Sequence, residues 1–186
     1  MEGQKERLGL DLDGVIYPWQ EVVYDHMKYF HNETRNFHDF WRDATEKVFT
    51  TKMGEFWLTN NLFYVQRNIR PDILDTLNCL SQFYDLFYIT SRVKSAQRAT
   101  RYWFKVNNLP RKEYLYFSGS EKLPLVLEHE VGYFVEDRIK HILELRNYTN
   151  TILIRQPWNE EIWDEVTTLD SVILLPELLG VGNGQA

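Results

Sequence analysis

Asp11-Leu12-Asp13-Gly14-Val15 places two carboxylates two residues apart, just where the apolar segment Arg7-Leu8-Gly9-Leu10 runs into a turn. Alone, acidic residues followed by Gly are also ordinary turn chemistry. Three further polar sets each follow an apolar run: Thr90-Ser91 after Asp85-Leu86-Phe87-Tyr88-Ile89, Lys122 after Tyr114-Leu115-Tyr116-Phe117, and Glu136-Asp137 after Gly132-Tyr133-Phe134-Val135. If those runs are parallel strands, all four sets lie at carboxyl ends, the edge of an open α/β sheet where ligands bind. A carboxylate pair, a hydroxyl pair, a lysine and an acidic pair can together transfer a phosphoryl group to an aspartate. One carboxylate attacks phosphorus, and a second carboxyl protonates the leaving oxygen and then activates water. The phosphate repels an anionic nucleophile, so the chemistry calls for Mg²⁺ on oxygen ligands and for the lysine.

Each set also has a plainer use. Thr90 and Ser91 could cap the helix that follows, although a helix N-terminus attracts anions as well. Lys122 competes with Lys94, Lys105, Lys112 and Lys140, and is preferred because it lies in the loop before the fourth apolar strand. Glu136 and Asp137 could form a solvated loop beside Arg138. The common order of the sets along the chain favours chemistry over these uses.

The elements that must position them follow from pattern. At 186 residues, 44% hydrophobic and 26% charged, the chain has globular composition and room for a core domain with one insertion. Strand runs alternating with helical periodicity predict βαβ units and a mostly parallel sheet. Thr151-Ile152-Leu153-Ile154 and Ser171-Val172-Ile173-Leu174 are the last two expected strands. Pro71-Asp72 marks a helix start, with Ile73, Leu74, Leu77 and Leu80 on its buried face. Ala96, Ala99, Trp103 and Val106 suggest the inner face of a second helix, and Ile139, Ile142 and Leu143 that of a third. Between the first strand and Pro71 the chain is aromatic and charged without strand alternation. Val22, Val23, His26, Met27 and Phe30, then Phe37, Phe40, Trp41 and Ala44, keep helical spacing.

The formal net charge of −6 argues against a protein that tracks extended nucleic acid, and no apolar run approaches the length of a membrane span. The opening residues lack a signal-like apolar stretch, so a cytoplasmic location is expected. Cys79, the single cysteine, excludes an internal disulfide and suits packing. His26, His31 and His38 lack metal-ligand spacing, and the sequons at Asn32 and Asn147 carry no weight without secretion.

The order of the motifs resembles the haloacid dehalogenase-like phosphatase superfamily over nearly the whole chain. Asp11-x-Asp13-Gly14-Val15 is similar to its first motif, Thr90-Ser91 to its second, Lys122 to its third and Glu136-Asp137 to its fourth. The resemblance implies an α/β, Rossmann-like core with a mostly parallel sheet, formed by residues 1–16 and 69–180, a helical cap over residues 17–68, and a loose tail at 181–186. It implies that Asp11 is the nucleophile and Asp13 the general acid/base. Thr90, Ser91 and Lys122 would bind phosphate, and Asp11, Asp13, Glu136 and Asp137 would supply the Mg²⁺ site, Asp13 through its backbone carbonyl. The fourth motif commonly has two aspartates, so Glu136 leaves open which of the pair touches the metal. Within the superfamily the chain looks most like the 5'(3')-deoxyribonucleotidases and their bacterial and phage relatives, in which an aromatic cap closes over a nucleoside monophosphate. Trp19, Phe56 and Trp57 are the candidates for stacking on a base, drawn from an aromatic set that includes Trp41, Phe63 and Tyr64. A small phosphorylated substrate, no membrane partner and a possible homodimer complete the expectation. Sugar phosphates, nucleic-acid 3'-phosphate ends and a non-catalytic phosphate- or protein-binding domain are the alternatives.

Overall fold

The computed structural model describes residues 5–43 and 52–181. Strand β1 (Glu6–Leu10) leads into helices α1 (Trp19–Phe30), α2 (Phe37–Asp43), α3 (Lys52–Thr59) and α4 (Pro71–Phe83), and then β2 (Tyr84–Thr90). Helix α5 (Gln97–Val106), β3 (Leu115–Phe117), α6 (Leu123–Glu128), β4 (Tyr133–Glu136), α7 (Ile139–Leu145), β5 (Asn150–Ile154), β6 (Thr168–Leu169) and α8 (Leu175–Leu178) follow. The six strands form one sheet in the order β3-β2-β1-β4-β5-β6, and every neighbouring pair is parallel. The chain leaves β1 toward β2 and β3 and later returns to β1's other side with β4. That reversal puts a crevice at the carboxyl ends of β1 and β4.

A parallel sheet covered on both faces needs strands that are apolar throughout. Leu8, Leu10, Leu86, Tyr88, Ile89, Phe134, Val135 and Leu153 are accordingly buried. Gly9 lets β1 approach its neighbour's side chain: a Cβ there would lie 2.3 Å from Cδ2 of Phe134. Pro71 occupies the first turn of α4, where its missing N–H costs nothing. Ile73, Leu77 and Leu80 are that helix's buried residues.

Three side chains seat the segment between β1 and α4. The Tyr17 hydroxyl donates to the carbonyl of Phe63 (2.7 Å), Trp103 Nε1 donates to that of Arg67 (2.7 Å), and the Asn107 side-chain oxygen accepts from the N–H of Ile69 (3.0 Å). Trp19, Val22 and Val23 form the buried face of α1, while Phe30, expected on the same stripe, is 72% exposed.

Several local expectations are corrected. Residues 172–174 form a short 3₁₀ helix, not a strand, because the Ser171 hydroxyl caps it at the N–H of Ile173 and Pro176 opens α8 directly behind it. The sixth strand is instead the two-residue Thr168–Leu169. On α5 the buried residues are Thr100, Trp103 and Phe104, and Val106 is exposed. Thr100 can be buried because its hydroxyl donates to the carbonyl of Ala96 and accepts from Arg92. On α7, His141 is buried and Leu143 is exposed, for a similar polar reason described below. Ala44 lies outside the described residues.

Candidate active site

Asp11 is the first residue beyond β1, and its N–H donates to the carbonyl of Val135 in β4 (2.9 Å). The chain then turns on itself: the carbonyl of Leu12 accepts from the N–H groups of Ile16 (2.9 Å) and Tyr17 (2.8 Å). Gly14 makes this possible with φ +81°, in the left-handed region. A Cβ at Gly14 would sit 2.2 Å from Asp137 Oδ2, so the turn presses bare backbone against the loop after β4.

Lys122, fully buried at the start of α6, lies between two carboxylates, with Nζ 2.5 Å from Asp11 Oδ1 and 2.6 Å from Glu136 Oε2. Burial alone would lower its pKa, but the two carboxylates outweigh burial and hold it raised. Its Nζ lies over the Phe134 ring, 5.2 Å from the centroid. Glu136 is saturated. Oε1 accepts the N–H groups of Asp137 (3.0 Å) and Arg138 (3.1 Å), and Oε2 accepts from Lys122 and pairs with His141 Nδ1 (3.0 Å). Burial would raise its pKa, yet Lys122 and His141 overcome it and keep Glu136 ionised well below the usual range.

Asp137 has the opposite character. Its Oδ2 accepts from Gln20 Nε2 (3.2 Å) and Trp158 Nε1 (3.1 Å), whereas Oδ1 is buried with no hydrogen-bond partner. Burial, then the charges of Glu136 and Asp11, push its pKa well up. Burial likewise raises Asp11 to about 6, with Lys122 opposing the shift. Ligand atoms of Asp11, Glu136 and Asp137 all lie within 4.8 Å of one another. Among the described residues, four carboxylates, counting Asp13, are paired with two permanently charged cations, Lys122 and Arg92, and with the His141 ring on Glu136. The excess of carboxylates over permanent cations, the all-oxygen donor set and the unpartnered Oδ1 fit a hard divalent cation.

Asp13 is gripped by Arg92, a residue that pattern did not single out. Nε of Arg92 lies 3.0 Å from Oδ2 and Nη2 lies 2.6 Å from Oδ1. The guanidinium is fully buried between the rings of Tyr17 (4.8 Å) and Tyr64 (4.7 Å), and Nη1 donates to Thr100. Its place directly after Thr90-Ser91 was the available signal. Thr90 is buried at the end of β2, and its hydroxyl oxygen accepts the N–H of Arg92 (3.3 Å). Ser91 Oγ lies 3.4 Å from Ser118 Oγ.

Asp11, Asp13, Thr90, Ser91, Lys122 and Asp137 line one cleft of about 900 Å³. Four aromatic residues also line it: Trp19, Trp41, Tyr64 and Trp158. The Trp41 and Trp158 rings meet edge to face at 5.7 Å, and Trp19 stacks on Tyr64 at 6.5 Å. Phe56 is elsewhere, packed on His26 and Phe63 and 43% exposed. The side chain of Trp57 lies outside the described residues. The loop after β5 also contributes. Asn159 is buried and donates to the carbonyls of Asp137 (2.7 Å) and Ile154 (2.9 Å), and Gln156 Nε2 donates to the carbonyl of Gly14 (3.0 Å). The strand-end rule extended to β5 would have pointed to this loop.

No family model matches the chain. A nucleotidase of Clostridium acetobutylicum is 24% identical over 183 residues, covering 84% of this chain and 89% of that protein. YqfW of Bacillus subtilis is 24% identical over 160 residues, covering 83% and 82%. Among solved structures, a haloacid dehalogenase-like hydrolase of Streptococcus pneumoniae matches 96% of this chain and 100% of its own, with TM-score 0.60 and 15% identity. YfnB of Bacillus subtilis, solved bound to magnesium, matches 96% and 100%, with TM-score 0.64 and 12% identity. The parallel six-stranded sheet is thus the fold of haloacid dehalogenase-like hydrolases, and along most of its length the sequence is similar to bacterial nucleotidases.

Proposed function

We propose that the protein is a Mg²⁺-dependent phosphomonoester hydrolase working through an aspartyl phosphate on Asp11, with a nucleoside or deoxynucleoside monophosphate as substrate. One observation carries the reading: a buried Asp11 pinned by Lys122 has a carboxylate oxygen within 4.8 Å of one from Asp137, a residue whose Oδ1 is buried without a partner. Asp11 and Asp137, with the backbone carbonyl of Asp13, would hold the metal. When bound, it would offset the charge between phosphate and nucleophile. Glu136 has no lone pair to spare, so its role here is to orient Lys122 and His141.

The steps fall to this chain's residues. Thr90, Ser91 and Lys122 orient the phosphate. An Asp11 oxygen bonds to phosphorus as the bond to the leaving oxygen breaks, and the Asp13 carboxyl gives its proton to that oxygen. Water then attacks phosphorus while Asp13 takes its proton, and cleavage of the acyl phosphate frees inorganic phosphate and restores Asp11. In the structure Asp13 is held on Arg92, so its side chain must turn from the guanidinium to reach the leaving oxygen.

Two observations support a nucleotide. The cleft has the size of small-molecule sites, and the aromatic rings among its lining residues offer a base a stacking surface. The Clostridium acetobutylicum relative named as a nucleotidase points the same way. The test is phosphate release from a panel of nucleoside and sugar monophosphates with Mg²⁺. Asp11→Asn should abolish it while retaining the fold; turnover surviving in that variant would sink the mechanism.

A further inference from the structure

Next to the aromatic chamber the cleft has a second lobe of about 610 Å³. Ser91 and Arg138 border both spaces, so this lobe begins beside the hydroxyls that would hold the scissile phosphate. Its chemistry differs from that of the first. Lys94, Gln97, Phe117, Ser120 and Lys140 line it, and no aspartate or glutamate does. Lys94, Arg138 and Lys140 are exposed, and among the described residues none of them forms an ion pair. Arg101 adds a fourth cation at the outer edge, its guanidinium 5.3 Å from the Phe117 ring centroid. A chain of net charge −6 thus gathers unpaired cations around one concavity that opens onto its own candidate active site.

We infer that the substrate carries a second phosphoryl group, one that is not hydrolysed and that sits among Lys94, Arg138 and Lys140. The inference rests on the phosphomonoesterase reading above and narrows its substrate class. A base against Trp19 and Trp41, a scissile phosphate at Asp11 and a second anion in the basic lobe describe a nucleoside bisphosphate or the phosphorylated end of an oligonucleotide. Both present the same anion to the lobe. They differ in whether the chain of phosphates continues past it.

The test compares kcat/KM for deoxyadenosine 5'-monophosphate, deoxyadenosine 3',5'-bisphosphate and a 5'-phosphorylated dinucleotide at low salt. Charge-assisted contacts to phosphate predict an advantage of about tenfold or more over the monophosphate, mostly in KM. The advantage should shrink as salt is raised. In Lys94→Glu/Lys140→Glu the ratio should fall to near one, while Lys105→Glu/Lys112→Glu, the same charge change away from the lobe, should leave it intact. Preference for the dinucleotide over the bisphosphate assigns the lobe to a polynucleotide end, and the reverse assigns it to free nucleotides. A ratio within about twofold of one in the unaltered protein, or one unmoved by the double substitution, overturns the inference. If no substrate is hydrolysed, the phosphatase reading fails on its own, and calorimetric binding of the same three ligands to the unaltered protein still reads the lobe. Tighter binding of the two ligands with a second phosphate supports it; equal affinities overturn it.

Discussion

Arg92→Met tests a buried two-point ion pair. The guanidinium is wholly buried, holds both oxygens of Asp13, and lies between Tyr17 and Tyr64. Methionine fills much of the same space, so the main loss is charge. Removing one partner of a buried ion pair costs about 3–5 kcal/mol. Asp13 keeps 23% of its side-chain surface in contact with solvent and can regain some hydration, which places the expected loss near the lower end, about 3 kcal/mol. Asp13→Asn leaves the buried guanidinium without a carboxylate and should cost a similar amount. The double variant leaves neither charge stranded and should lose about 2 kcal/mol less than the two single losses added together. Urea denaturation of metal-free protein, read at constant m-value, measures all four forms. A single-variant loss under about 1 kcal/mol, or strict additivity, would refute the account. Arg92→Lys keeps the charge without the two-point grip. If the two-point grip also sets the position from which Asp13 turns to the leaving oxygen, kcat should fall about tenfold with KM little changed.

Burial raises the pKa of Asp11 from 3.8 to about 6, and a carboxyl whose folded pKa is raised contributes stability below its unfolded pKa that is lost as pH rises through the folded one. The Asp11 contribution in metal-free protein should therefore fall by roughly 2 kcal/mol between pH 4 and pH 7, and Mg²⁺ should raise Tm more at pH 7.5 than at pH 4.5; an equal shift at both would count against the site. Asp137→Asn should abolish that Mg²⁺-dependent rise while the protein stays folded, whereas Glu136→Gln should lower Tm with or without metal because it disturbs Lys122 and two backbone N–H groups. Gly14→Ala forces a Cβ into Asp137 and a side chain into left-handed backbone, so thermal scans should show the Mg²⁺ response lost along with several degrees of Tm. Trp41→Leu should raise KM for a nucleotide at least about fivefold while leaving turnover of a small aryl phosphate nearly unchanged, since only the former has a base to stack; steady-state kinetics on both substrates decides it.

The sheet was legible because parallel strands must be apolar on both faces, and Leu86 through Ile89 or Phe134-Val135 have few other ways to be buried. Residues 172–174 are equally apolar yet helical. A run that short is decided by its ends, here the Ser171 cap and Pro176, and periodicity cannot see them. Thr168–Leu169 fails in the other direction, since a two-residue edge strand leaves no run to detect. Helix faces misled where polar partners replaced apolar packing: Thr100 is inside because Arg92 needs it, and His141 because Glu136 does.

The same physics separates the site residues that could be read from those that could not. Asp11, Thr90, Lys122 and Glu136-Asp137 announce themselves because each follows a strand, and a parallel sheet carries every such position to one edge. Arg92, Gln156, Trp158 and Asn159 do their work through partners far away in the chain: Arg92 on Asp13, Gln156 on the carbonyl of Gly14, Trp158 and Asn159 on Asp137. The ambiguity within Glu136-Asp137 has that origin too. Side-chain length alone suggested a problem for the metal; the hydrogen bonds of the two side chains differ. Glu136, the longer, spends four acceptor positions on Lys122, His141 and backbone, and Asp137 is left with the single open oxygen. A glutamate in the first position is then an advantage, since its extra methylene lets a residue at the end of β4 reach back to the N–H groups of Asp137 and Arg138 while still meeting Lys122. Glu136→Asp should accordingly loosen the lysine even though it restores the commoner pair of aspartates. Its phosphatase kcat should fall rather than rise, and an unimpaired variant would show that the bonds to the backbone do not matter.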